Sequence, residues 1–156
     1  MFDQINGLPV HVLVVHAAVV FVPLLALGAI VYALVRRWRS RIGWAVVLLA
    51  VVAPLASLAA KLSGEELYKR LQQQGISVRG AEIIEDHNGF GDLTFYFALA
   101  LGIVSLIMVF ATMRTRPLPR IADLGLAVVT VVLAAISGYY VFQTGDSGAT
   151  AVWGTY

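Results

Sequence analysis

The sequence predicts an all-α polytopic membrane protein: a four-transmembrane-helix bundle with a short helical extracytoplasmic connection between helices two and three. Of its 156 residues, 60% are hydrophobic and only 13% are charged, whereas a soluble domain is nearer half apolar and a quarter charged. Four stretches are each long and apolar enough to cross a bilayer, which takes about 20 residues. This composition excludes a soluble enzyme, a disordered chain and a nucleic-acid-binding module.

The apolar stretches predict helices at about 10–35, 43–62, 93–113 and 121–142. We expect them to form a single transmembrane domain over residues 1–156. The first stretch could be mistaken for a signal peptide, but no lysine or arginine precedes it and its apolar core is too long. We therefore expect a retained helix.

Basic residues cluster in the two short loops of this topology. The loops hold seven of the eleven Lys and Arg residues: Arg36, Arg37, Arg39, Arg41, Arg114, Arg116 and Arg120. Because basic loops stay in the cytoplasm, both loops should be cytoplasmic and both termini extracytoplasmic. Asp123 lies in the first turn of the fourth helix, where the helix dipole stabilises an acid, and we expect it to pair with Arg120.

The segment 63–90 is the only sizeable polar connection. Ser63 and Glu66 fit a capping box, which predicts a separate short helix that ends at Gly75. Residues 145–148, after the fourth apolar stretch, contain two glycines and predict a turn. No clear internal repeat is evident.

Three histidines, His11, His16 and His87, fall on the predicted extracytoplasmic side. His16 lies about 7.5 Å deeper than His11, and the two rings differ by about 140° around the helix, so they need a partner from another element. His87 is the obvious partner, and Asp92 and Asp146 lie on the same side. A polar ring inside a bundle needs a partner, so each histidine is either a ligand or a hydrogen-bonded structural residue.

The first functional hypothesis is cofactor binding in a redox or accessory role. His11, His16 and His87 would ligate a haem, as haem b, because helix bundles bind haem through side chains of facing helices. Alternatively, the same histidines would hold Zn²⁺ or Cu together with Asp92 or Asp146.

Two other hypotheses remain open. The chain could be a non-catalytic structural or assembly subunit of a larger membrane complex, such as a respiratory complex, or associate with a second copy of itself. It could also transport protons or small ions, although only His16 is titratable deep within a span. The sequence contains no Walker loop, GxSxG, HExxH or GxGxxG motif, which favours a non-enzymatic role. The expected surroundings are a lipid bilayer, with no nucleic acid.

The opening of the chain resembles domain-of-unknown-function family 2231, whose motif reads roughly L-P-x-H-P-x-x-V-H-F-P. The matching residues are Leu8, Pro9, His11, Val15 and His16. Three later steps are also similar to the family: Ser63-Gly64-Glu65, His87…Gly91-Asp92 and Gly145-x-Ser147-Gly148-Ala149. The resemblance implies a four-helix protein of the bacterial cytoplasmic membrane, and it implies no particular reaction.

The chain departs from the family pattern at three places. Val12 stands where a proline is usual, and Ala17-Ala18 replaces Phe-Pro. Asp146 stands where relatives often have a histidine, which puts in doubt a bis-histidine site that uses that position.

Overall fold

The computed structural model of the protein is a bundle of four long helices, and it describes residues 4–5, 8–114 and 118–154. The helices are α1 (Val10–Leu34), α2 (Arg39–Gln73), α3 (Val78–Thr112) and α4 (Arg120–Trp153). A 3₁₀ turn at Arg36–Trp38 precedes α2, and two-residue strands β1 (Gln4–Ile5) and β2 (Leu8–Pro9) pair antiparallel before α1. All four helices are long and apolar enough to cross a membrane, which confirms the predicted fold class.

The helices form a ring in chain order. Each packs against the helices before and after it, α4 closes the ring against α1, and α1 and α3 stand diagonally across the axis. Successive helices are antiparallel, so His11 and His87 lie at the same end of the bundle, which we call the histidine end. Arg36, Arg39 and Asp123 lie at the other end, the arginine end. The predicted basic residue Arg116 lies outside the described residues.

Three helices are longer than a membrane crossing requires. α2 and α3 have 35 residues each and α4 has 34, which corresponds to about 50 Å of helix, against a hydrocarbon core of about 30 Å. Along α2, the distance from Arg41 to Lys61 is itself about 30 Å. The turns beyond Lys61 therefore project past the hydrocarbon at the histidine end, together with the facing turns of α3 and α4.

This projection corrects several predicted boundaries. The separate short helix predicted from Gly64, with Ser63 as its cap, was wrong, because α2 continues unbroken to Gln73 and the Ser63 hydroxyl donates to the Ala60 carbonyl within it, at 3.0 Å. The stop at Gly75 is confirmed, since this glycine has a φ of +84°, in the region that favours glycine. The turn predicted at 145–148 was also wrong, because these residues continue α4. Packing against the neighbouring helices outweighs the low helix propensity of the glycines.

Small residues allow the helices to approach closely. Many core positions along the axis are alanine, namely Ala18, Ala26, Ala29, Ala50, Ala53, Ala98 and Ala134. The tightest approach is at Gly102 of α3, where a Cβ atom would lie 2.6 Å from the Ala50 carbonyl oxygen and 3.1 Å from Cγ of Pro54. Such close contacts matter because apolar burial gives no driving force between helices in lipid.

Asp123 of α4 forms two ion pairs that connect the helices at the arginine end. Its carboxylate is buried, with Oδ2 2.7 Å from Arg36 and Oδ1 2.9 Å from Arg39. Arg39 also donates to two carbonyl groups near the end of α1, each at 3.0 Å. The expected pairing with Arg120 was therefore wrong: arginines that the α1–α2 connection brings across the bundle hold the carboxylate instead.

Replacing Gly102 by alanine is expected to destabilise the bundle by about 1–3 kcal/mol, the usual effect of overpacking, because the new methyl group meets backbone atoms of α2. Gly138→Ala is the matched control, since no neighbouring atom of the described residues lies within 4 Å of its Cβ position. Both substitutions raise helix propensity, so the difference between them isolates the contact. Unfolding of the two variants in the same detergent measures that difference, and equal stabilities would contradict the close approach.

Candidate functional site

A cavity of about 260 Å³ lies at the histidine end, between the ends of the four helices. Its polar lining includes His11, Lys61, His87, Asp92, Thr94 and Thr144. The two threonine hydroxyls bond to each other at 2.8 Å and tie α3 to α4 beside the cavity. Valines of α1 and α4 complete the wall. The cavity therefore joins polar groups to an apolar inner wall.

Two imidazoles meet in this cavity. The ring centres of His11, from α1, and His87, from α3, are 6.2 Å apart, and the ring planes are nearly perpendicular at 82°. Because α1 and α3 stand diagonally in the bundle, these side chains reach across its axis. The structure thus brings together two of the three histidines that the sequence singled out.

The neighbouring helix α2 fixes the His11 ring. Its Nδ1–H donates to the Ala60 carbonyl at 3.0 Å, with the Ser63 hydroxyl oxygen 3.2 Å away. Because a carbonyl only accepts, the Nδ1 atom carries the proton, and Nε2 of the neutral ring keeps a lone pair. A Cβ atom at Gly64 would lie 3.1 Å from Cε1 of His11, so only a residue without a side chain lets the ring sit this close to α2.

His87 repeats this arrangement with α4. Its Nδ1 lies 3.0 Å from the Ser147 hydroxyl oxygen, which sits one turn from the Thr144 carbonyl. The Ser147 hydroxyl in turn donates to that carbonyl at 3.2 Å, as Ser63 does within α2. A Cβ atom at Gly148 would lie 3.0 Å from Cε1 of His87. The α1–α2 and α3–α4 hairpins are therefore near copies of each other at this site, a repeat that the sequence analysis missed.

The other predicted site residues do not join the two rings. His16 is exposed, and its Nδ1–H donates to the Val12 carbonyl of its own helix at 2.6 Å. Asp146 is exposed on α4, and neither residue lines the cavity. Asp92 does line it, but its Oδ1 atom is 2.5 Å from Nζ of Lys61. Over the described part of the chain, no three His, Cys, Asp or Glu side chains form a group that could hold a metal ion.

Sequence reasoning did not assign site roles to Lys61 or to the Ser-Gly pairs at 63–64 and 147–148. The repeated Ser-Gly pair was a usable signal, but residues 137–138 are also Ser-Gly and lie away from the cavity. In the sequence, Lys61 simply lies at the end of the second apolar stretch. Its role becomes visible only once α3 is packed against α2.

Gly148→Ala is expected to displace the His87 ring and weaken its hydrogen bond to Ser147, at a cost of up to about 1 kcal/mol. The matched control is Gly145→Ala, one turn earlier on α4, where no neighbouring atom of the described residues lies within 4 Å of the Cβ position. Nitrogen NMR of the histidine rings and unfolding of both variants measure the effect. Unchanged His87 signals in Gly148→Ala would contradict this packing.

Comparison with known proteins identifies the family. No match was found among curated proteins or among solved structures. A family model described as "Predicted membrane protein (DUF2231)" matches residues 7–155, which is nearly the whole chain. This match confirms the resemblance seen at the opening motif and agrees with the four apolar helices. The chain belongs to this family of predicted membrane proteins.

Proposed function

We propose that this protein binds a single transition-metal ion, Cu or Zn, between His11 and His87 in a redox or accessory role at the membrane surface. The observation that carries the proposal is the pair of facing imidazoles, each held by its Nδ1–H on a neighbouring helix. Both rings thereby keep Nε2 as the atom available to a ligand.

The ring separation supports one shared ion. An imidazole nitrogen binds Zn²⁺ at about 2.0–2.1 Å, so two rings on one ion have centres roughly 5–6.5 Å apart, depending on the angle between the ligands. The centres of His11 and His87 are 6.2 Å apart. The separation of the two ring centres is therefore compatible with one shared ion.

The hydrogen bonds behind the rings also support a metal site. A histidine that ligates a metal commonly donates its other ring N–H to a carbonyl or carboxylate, which fixes the tautomer and the ring orientation. The Ala60 carbonyl takes this role for His11, and the Ser147 hydroxyl, which itself donates to the Thr144 carbonyl, takes it for His87. The remaining coordination positions would go to water or to polar groups of the cavity wall.

The size of the cavity favours an ion over a haem. Pockets for drug-sized ligands and cofactors measure about 300–1,000 Å³, whereas this cavity has about 260 Å³. A haem would also have to fit its whole ring plane between the two imidazoles, across the axis of the bundle. Haem b, which the sequence analysis considered first, is therefore the weaker candidate.

We also propose that the histidine end faces the extracytoplasmic side of a bacterial cytoplasmic membrane. The support is the concentration of arginines at the opposite end, where Arg36, Arg37, Arg39 and Arg41 follow α1 and Arg114 follows α3. Such residues favour the cytoplasmic side. The metal would then be exchanged with the extracytoplasmic space.

His11→Ala and His87→Ala are each expected to weaken Zn²⁺ or Cu²⁺ binding by at least about 100-fold, since loss of a mere supporting residue already costs 10–100-fold. The measurement is metal titration of the purified full-length protein by calorimetry, with elemental analysis and an absorption spectrum of the same sample.

His16→Ala is the matched control. It removes an exposed imidazole from the same helix as His11 and should leave the affinity unchanged. Wild-type affinity in His11→Ala and His87→Ala would contradict the proposed site. A Soret band in the wild type that disappears in those two variants would show that the ligand is a haem and not a single ion.

Single cysteines are expected to report the orientation, because the natural chain has none. Gln74→Cys, in the connection between α2 and α3, should react with a membrane-impermeant maleimide on intact cells. Met113→Cys, at the arginine end, should react only after permeabilisation. Both positions are exposed in the bundle, and the reverse labelling pattern would contradict the orientation.

A further inference from the structure

An ion pair forms one wall of the cavity. The Lys61 ammonium lies 2.5 Å from Oδ1 of Asp92 and 3.3 Å from Oε1 of Glu65, and all three residues line the cavity with the histidines. The Lys61 side chain is only 19% exposed, whereas the Asp92 side chain is 44% exposed and the Glu65 side chain 46%. The lysine is thus the most buried member of the group, and both carboxylates are partly exposed.

This ion pair has no counterpart in the other hairpin. Lys61 lies two residues before Ser63, and the corresponding position before Ser147 in the other hairpin is Gly145. Asp92 lies five residues after His87, and the corresponding position after His11 is His16, which is exposed. The two hairpins are thus alike in the residues that hold the imidazoles and differ in the charged wall.

The Lys61 ammonium is paired with two carboxylates, those of Glu65 and Asp92. One carboxylate suffices to neutralise the ammonium, and Glu65, four residues along the same helix, is within reach of it without any contribution from α3. Asp92 can therefore move away from Lys61 while the ammonium remains paired with Glu65. No unpaired charge is then left at the edge of the membrane, where it would be costly. A carboxylate is also a suitable third ligand beside two imidazoles for Zn²⁺.

We propose that Lys61 regulates the metal site by holding Asp92 as a latent third ligand, which moves to the ion when the metal binds while Glu65 keeps the lysine paired. This inference rests on the proposed binding of a metal by His11 and His87. No covalent bond changes: one ion pair is exchanged for one metal–carboxylate bond.

Cu²⁺ titration of the purified full-length protein, with electron paramagnetic resonance of the bound ion, tests this regulation. Lys61→Met should bind Cu²⁺ about tenfold more tightly than the wild type, because the charge-assisted bond that holds Asp92 no longer has to be broken. Asp92→Asn should remove that gain in the double variant Lys61→Met/Asp92→Asn. The resonance spectrum of Lys61→Met should report an oxygen ligand that the double variant lacks.

Lys69→Met is the matched control. Lys69 lies two turns further along α2, forms an ion pair with Glu66 at 2.8 Å and does not line the cavity, so its removal should leave the affinity unchanged. Glu65→Gln gives an independent test that keeps Lys61 in place: without its second carboxylate the lysine should retain Asp92, and binding should weaken about tenfold.

The outcomes separate the two proposals. If His11→Ala and His87→Ala abolish binding but Lys61→Met matches Lys69→Met, the regulation is overturned and the metal site stands. If the gain in Lys61→Met survives in the double variant, the lysine acts only by repelling the ion, and the latent-ligand role is overturned. If the wild type binds no Cu²⁺, both proposals fail together.

Discussion

Close approach of the helices through small residues is the constraint on which the rest of the structure depends. In lipid, apolar side chains gain nothing by leaving their surroundings, so helices associate through van der Waals contact and hydrogen bonds across their interfaces. The alanines along the axis and Gly102 let the backbones approach closely. Serine and threonine side chains are short, and they reach across to another helix only because of this approach. The hydrogen bonds around the cavity therefore follow from the apolar packing further down the bundle.

Polar contacts between helices set the register of the bundle more than its stability. Thr94 bonds Thr144 near the cavity, Tyr32 bonds Thr112 near the arginine end at 2.6 Å, and Asp123 binds two arginines there. A hydrogen bond between membrane helices contributes on average only about 0.6 kcal/mol. A slip of one helical turn, about 5.4 Å, would break several of these bonds at once. Together they select one alignment, and that alignment brings the two imidazoles to the same level.

Much of the fold could be predicted from the sequence, because length and apolarity decide what crosses a bilayer. Helix ends beyond the hydrocarbon could not, since apolarity stops at Lys61 while α2 continues to Gln73. The capping-box pattern at Ser63 is a local signal, and the packing of His11 against Gly64 on the same turn overrides it. Local patterns thus failed where contacts with other helices decide the structure.

The site could be predicted only in part, for the same reason. Three histidines on one side suggested a cluster, but which rings meet depends on the rotation of each helix about its axis. Helical geometry already separated His11 from His16, and packing turned His16 outward. The pairing of Asp92 with Lys61 joins residues that are distant in the sequence. No spacing pattern in a single sequence encodes a contact of that kind.

The near-repeat of the two hairpins explains why the site lies where it does. Each hairpin holds one imidazole with its own serine, carbonyl and glycine. Neither hairpin offers two histidines of its own to the cavity, so the pair exists only after α1–α2 and α3–α4 have assembled. A ligand that binds both rings would bind the assembled bundle and not the separated hairpins, and it would stabilise the assembly in proportion to RT ln(1 + [L]/Kd). Occupancy of the cavity and the integrity of the bundle are therefore thermodynamically linked. The contacts within each hairpin contribute to this linkage because they hold its imidazole where the two rings can meet.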